Sequence, residues 1–260
     1  MSGRGIGLDR LARFRQGAYR LLAALLRYPH EGDLAAAADA ARALRRRSPW
    51  ASELAFYGPW DYLLRRVASL GPAQVPALQE TYSALFLSSA ARSPVPLCES
   101  AYVDPAVVAP GRVLAQVEAD YAAVGLRLAP GGEPPDHVTI ELEVVSVLCR
   151  REAEAWEAHD LPQVLTAEQR QQGFLERHPC QWFPALAGQV AVLEGESLYA
   201  AVTQAARVLV AHDADFLRAL TSQVAAASAS AKESVHARPR PDGGLPTRRP
   251  GAGHPGAALP

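Results

Sequence analysis

Apolar side chains in this chain return every three or four residues, segment after segment, and no segment alternates convincingly every second residue. The first spacing lays a stripe along one face of an α-helix, whereas a half-buried strand needs period two. Leu11, Phe14, Ala18, Leu22 and Leu25 form one such stripe, with Arg10, Arg13 and Arg20 between them, and predict a helix from about Leu8 to Tyr28 that Pro29 ends. An Ala-rich second helix follows, with Asp33 as its expected cap and Arg45, Arg46 and Arg47 at its end. A third runs from about Ser52 to Gly71, bent near Gly58 and Pro59; a fourth carries Val75, Leu78, Tyr82, Leu85 and Phe86. Pro110 opens a fifth, which reaches Tyr121 and stops at Gly125. The clearest helix spans about Asp136 to Asp160: Val138, Leu142, Val145, Cys149, Ala153 and Trp156 share a stripe, with Asp136 as expected N-cap. A helix from Thr166 to His178, a short segment around Trp182, Phe183 and Pro184, and a last long helix from near Ser197 towards Ala227 complete an all-α, single multi-helix domain.

Domain organisation follows from where that pattern stops. Residues 1–231 are read as one helical domain, long enough at this size to bury a core of its own. From Lys232 to Pro260, 11 of 29 residues are Pro or Gly and almost none is apolar, so residues 232–260 are expected to be a disordered tail. No apolar run approaches the ~20 residues of a membrane span, so no stable membrane insertion is expected. Leu21 to Leu26 is too short for an export signal and ends in Arg27. Three cysteines without a CxxC pair fit a reducing cytoplasm better than a disulfide framework.

The formal net charge is −1, which argues against a nucleic-acid partner. Charge is nevertheless unevenly spread. Residues 1–47 hold ten basic and four acidic residues, and Glu133 to Asp160 hold eight acidic and two basic ones, so a strongly acidic face is expected. Patterns for phosphate loops, dinucleotide turns, zinc proteases and nucleophile elbows are absent, and no His pairs with another His or Cys at a metal-site spacing. No catalytic residue, no metal and no resident cofactor is therefore assigned.

Two loops hold the remaining candidates. Ser93 to Pro105 has three prolines that keep it extended, and it carries Leu97, Glu99, Ser100, Tyr102 and Asp104. Gly131 to His137 leads into the clearest helix and ends in Asp136 and His137. Either loop also reads as an ordinary helix connection. Glu141, one residue from Leu142, falls about 60° from the centre of the apolar stripe and is expected at the border of core and solvent. There it could hold a cation or form an ion pair with an arginine.

Four stretches in order resemble the TorD/DmsD/NarJ group of redox-enzyme maturation chaperones, nearest its TorD/DmsD branch. These are Tyr19 to Pro29; Tyr82-Ser83-Ala84-Leu85-Phe86 followed by Pro96-Leu97-Cys98-Glu99-Ser100-Ala101-Tyr102; Pro135-Asp136-His137-Val138 with Glu141-Leu142; and Phe174-Leu175-Glu176-Arg177-His178 with Trp182 and Pro184. Glu143-Val144-Val145 departs from the group's pattern after Glu-Leu, and the Pro/Gly-rich tail is not a feature of the group.

The resemblance implies an all-helical, non-catalytic, cytoplasmic chaperone. Such a protein binds the twin-arginine leader and apo catalytic subunit of a molybdopterin oxidoreductase until the molybdenum cofactor is in place. It also implies weak guanine-nucleotide binding and a monomer or dimer in some members, and it links Asp136 and His137, then Glu99, Ser100 and Tyr102, to leader binding. The physical fit is that paired guanidinium groups prefer carboxylates (here Glu99, Asp104, Asp136, Glu141) and an apolar leader segment prefers a groove, with Val95, Leu97, Val103 and Val138 between the loops. A NarJ-like assembly factor for a nitrate-reductase-type subunit that is not exported, an enzyme, and a helical scaffold without a leader partner are the alternatives.

Overall fold

The structure, a computed structural model, describes residues 7–87 and 95–236, with side chains as far as Val224. Ser93, Pro94 and residues 237–260 of the expected tail lie outside the described residues. Nine α-helices are present among the described residues: α1 (Leu8–Leu25), α2 (Glu31–Arg47), α3 (Tyr57–Ala68), α4 (Val75–Tyr82), α5 (Pro110–Ala123), α6 (Val138–Glu157), α7 (Leu161–Arg177), α8 (Pro179–Glu194) and α9 (Leu198–His236). Among those residues the only β-type pairing is a single bridge between Cys98 and His137.

The helix α1 lies along α6, which backs onto α7; α7 and α8 both rest on α9. On the other side α2 covers α1 and α3, and α3 returns to α9. The stripe predicted on α6 is the centre of this arrangement: Val138, Leu142, Val145 and Cys149 are fully buried, beside Leu22, Leu26, Trp60, Trp182 and Tyr199. Each such aliphatic side chain contributes about 1.5–3 kcal/mol by leaving water.

Several boundaries differ from the sequence reading for identifiable local reasons. The side chain of Asp33 caps nothing; it lies inside the first turn of α2, which begins after His30. The segment around Trp182 is a continuous helix despite Pro184, because Trp182, Phe183, Leu186 and Val190 bury one face through it. The junction of α6 and α7 is tighter than predicted: Asp160 accepts a hydrogen bond from the N–H of Gln163 at 3.1 Å and starts α7 five residues before Thr166. The helix α9 runs through His236 and takes in the first residues of the segment read as a tail from Lys232.

One charge is buried where α1, α6, α7 and α9 meet. Arg15 reaches Asp213 at 2.5 Å, Glu152 at 2.6 Å and Gln171 at 2.6 Å, and Tyr19 donates to Asp213 at 2.8 Å. Cys149 donates to Gln171 at 3.2 Å, in keeping with a buried structural thiol. Nor does α6 present a strongly acidic face. Glu141 and Glu152 are inside, Glu157 is paired with Arg13 of α1, and Glu143 with Arg27 just past the end of α1. Three pairs of the opposite charge noted in the two segments meet here: Arg13 with Glu157, Arg15 with Glu152 and Arg27 with Glu143.

Candidate functional site

The two loops singled out in the sequence are laced together. Glu99 N–H donates to the carbonyl of Asp136 at 2.9 Å, Val138 N–H donates to the carbonyl of Leu97 at 2.8 Å, and Oδ2 of Asp136 accepts from Ser100 N–H at 2.9 Å. Asp136 is 1% exposed. It is not the N-cap of α6: its carboxylate turns across to the neighbouring loop, and His137 takes the capping position.

His137 caps through Nδ1, which accepts from Thr139 N–H at 3.4 Å and lies 2.8 Å from Thr139 Oγ1. That arrangement needs an unprotonated Nδ1 and leaves the proton on Nε2, which faces Glu133 at 3.9 Å. Burial lowers the basicity of this imidazole against the opposing pull of Glu133 and Asp136, which keeps the cap neutral.

Beneath the laced loops runs a chain of buried ionisable groups. His178, at the end of α7, donates from Nδ1 to Glu99 at 2.9 Å and from Nε2 to Asp120 of α5 at 2.9 Å. Burial by itself would lower the His178 pKa, but the hydrogen bonds and charges of Glu99 and Asp120 outweigh it and hold the ring as an imidazolium. Arg177 also reaches Asp120, at 2.8 Å; burial would raise that carboxyl, but Arg177 and His178 together keep it below its usual range.

Glu141 completes the chain. It is fully buried, which corrects the expectation of a border position, and it pairs with no arginine. Its Oε2 accepts from the indole N–H of Trp182 at 3.1 Å, and its Oε1 finds no donor. Burial first and Glu99 second push this carboxyl well above the usual range. Burial and the neighbouring Glu99 both oppose a charge on Glu141, so it is suited to keep its proton rather than to hold a cation.

Aromatic rings close the cluster. Tyr102 lies 5.2 Å from Trp182 and donates to the carbonyl of Pro96 at 2.9 Å; Phe174 lies 4.9 Å from His178; Tyr121 donates to the carbonyl of Pro135 at 2.7 Å. Three of the four stretches quoted above therefore converge on one clasp, through Glu99, Asp136, Glu141, His178 and Trp182. Asp120 and Tyr121 joined it without any motif to announce them. The two residues stand in an ordinary amphipathic helix, and only the fold brings them to His178 and Pro135.

The remaining candidates separate by exposure. Val95, Leu97 and Val138 are buried in the core and offer no open groove, contrary to expectation. Asp104 is exposed and closes its own turn by accepting from Ala106 N–H at 2.9 Å. Ser100, Tyr102 and Val103 are half-buried, and Glu133 is exposed. Among the described residues no group of three or more His, Cys, Asp or Glu side chains is arranged to hold a metal ion. No described helix is long and apolar enough to cross a membrane.

The family model described as the nitrate reductase delta subunit matches residues 51–188, more than half of the chain and all of the clasp. A solved structure from Archaeoglobus fulgidus, described as a candidate redox enzyme maturation protein, is similar with 22% identity and a TM-score of 0.47, over 75% of this chain and 93% of that one. No curated protein matches this chain.

Proposed function

Because the chain belongs to the nitrate reductase delta subunit family, the TorD/NarJ group of redox-enzyme maturation chaperones, we propose that it binds the apo catalytic subunit of a molybdopterin oxidoreductase in the cytoplasm. It holds that subunit for cofactor insertion and itself catalyses nothing. One observation supports this reading above the others: motif residues far apart in the chain meet in a clasp whose ionisable groups face one another rather than a pocket. A clasp of that kind fixes a surface; it does not assemble an acid, a base and a substrate space.

The surface it fixes is the outer side of the two laced loops, with the carboxylates of Asp104 and Glu133 exposed and Ser100 and Tyr102 half-exposed. We assign twin-arginine leader binding to that side. Asp136, Glu99 and Glu141 act as positioning residues beneath it, and His137 lies at its edge. Exposed carboxylates suit guanidinium groups, and a contact that stays in water gives at most about 1 kcal/mol, so several must act together. The loop chemistry favours an exported client over the non-exported subunit of a NarJ-like system. Weak guanine-nucleotide binding remains a family-based expectation, without a phosphate loop to carry it.

Gene deletion tests the general reading. Molybdenum content and activity of at least one molybdoenzyme in the host should fall, and complementation should restore both; unchanged cofactor loading of every molybdoenzyme would overturn it. Calorimetric titration of that enzyme's leader peptide tests the finer one. Asp104→Asn and Glu133→Gln should weaken binding and high salt should weaken it further. Unchanged affinity in both variants would move the leader elsewhere.

A further inference from the structure

A long trough lies between α1 and α2, with a volume of about 980 Å³. Its lining follows α1 from Arg10 to Ala24, a run of about 21 Å at 1.5 Å per residue, and continues to Arg27 just past the helix. Gly17 sets its depth: a Cβ there would stand 3.0 Å from Leu44 of α2, so the glycine lets the two helices meet under an open upper edge.

The floor is apolar and shallow. Ala24 of α1 and Ala36, Ala40 and Ala43 of α2 line it beside the larger Phe14 and Leu21. Small side chains let a third helix approach the backbone of both.

The rim is cationic. Six arginines and one aspartate line the trough. Arg13 and Arg27 are paired with Glu157 and Glu143, but Arg10, Arg20, Arg46 and Arg47 are exposed and make no ion pair among the described residues. Four cations left without carboxylates beside an apolar floor repel one another unless an acidic partner covers them. A twin-arginine leader has the wrong sign for this place. Residues 237–260 of the chain itself do too, with four arginines against one aspartate.

We propose that the α1–α2 trough is a docking site for an amphipathic helix of a partner protein that carries Leu-type side chains on one face and Glu or Asp along both flanks. The elongated shape suits a helix of four to five turns, and the apolar floor favours a peptide over a nucleic-acid backbone, which would leave that floor uncovered. This site is separate from the loops assigned to the leader.

The test uses the full chain and a fluorescent synthetic helix with Leu at i, i+3, i+4 and i+7 and Glu on its flanks. A Lys-flanked counterpart and a scrambled Glu peptide of equal composition are the controls. Anisotropy titration should show the Glu helix binding at least about tenfold tighter than either control and losing affinity in high salt. Arg20→Glu and Arg46→Glu should each weaken it about five- to tenfold, and Ala40→Trp should weaken it by a factor that salt does not change. Unfolding midpoints identify variants that merely fail to fold, and Arg20→Gln then replaces Arg20→Glu. Equal binding of the Lys helix or of the scrambled peptide would overturn the proposal. So would displacement of the Glu helix by duplex DNA at equal charge, or a wild-type dimer that Ala40→Trp dissolves. Leader binding unaffected by Arg20→Glu separates this site from the proposed function, so either can fail alone.

Discussion

Asp136 engages the neighbouring loop twice, through its carbonyl to Glu99 N–H and through Oδ2 to Ser100 N–H. Its side chain is thus worth one buried acceptor. Asp136→Ala leaves Ser100 N–H without a partner and should lower stability by about 2 kcal/mol in urea unfolding, whereas Asp136→Asn keeps an oxygen and should lose less than half of that. Equal losses would mean that charge, not the acceptor, holds the loops. Glu168 on α7 is the opposite case: fully buried, with neither oxygen bonded. Burial first and Glu152 second raise its carboxyl to about 8. A carboxyl raised on folding contributes stability in its protonated form, fully below the unfolded value of 4.5, and that contribution is lost as pH climbs through about 8. Wild-type stability should therefore decline over that interval, and Glu168→Met should flatten the decline and gain about 1–3 kcal/mol at its upper end. Equal pH profiles for the two proteins would show that Glu168 stays charged in the fold. Sequence alone placed Glu99, Asp136 and His137 together as candidates. It put Glu141 at the core border because a helical wheel knows only its own helix, and what buries Glu141 is Trp182, 41 residues on.

At the scale of elements, the helices were legible and their junctions were not. Periodicity marks the middle of a helix, where burial decides; the ends depend on single hydrogen bonds that several neighbouring residues could supply. Asp33 and Asp136 were both read as caps, and neither is one, while Asp160, read as the end of α6, caps α7. Asp160→Ala should lower stability by about 1 kcal/mol, the usual value of an N-cap, and Asp33→Ala by no more than about 0.5 kcal/mol in the same denaturation series. Beside Asp160 stands His159, with φ at 57°, a left-handed residue that ends α6 where glycine would ordinarily serve; Asp160 N–H returns to the carbonyl of Ala155 at 3.0 Å across it. His159→Gly should therefore stabilise the protein by up to about 1 kcal/mol, although glycine usually weakens a chain. A loss instead would mean that the imidazole contributes more than the backbone conformation costs.

For the whole molecule, the four central helices are joined by one buried cation. Arg15 of α1 binds Glu152 of α6, Asp213 of α9 and Gln171 of α7, and Tyr19 adds a second bond to Asp213. The opposite charge of the two segments was legible in the sequence; that part of it meets inside the core was not, because composition carries no register between α1 and α6. Arg15→Met keeps the length and apolar stem of the side chain and removes the charge, so it leaves Glu152 and Asp213 as two buried carboxylates without their cation. Breaking one partner out of a buried ion pair typically costs about 3–5 kcal/mol, whereas an exposed pair such as Arg218 with Glu176 is screened by water and its loss should cost far less. Urea unfolding at neutral pH should show that contrast between Arg15→Met and Arg218→Met. The deficit of Arg15→Met should also shrink as pH is lowered from neutral towards about 5, since two carboxylates forced together relieve their repulsion by binding a proton, and a proton bound on folding stabilises more as pH falls. A deficit that stays constant with pH would mean that the core relaxes to let water reach the pair. A triple variant with Arg15, Glu152 and Asp213 all replaced by apolar residues of similar volume should recover most of the loss, because no group would then be left buried and unpaired.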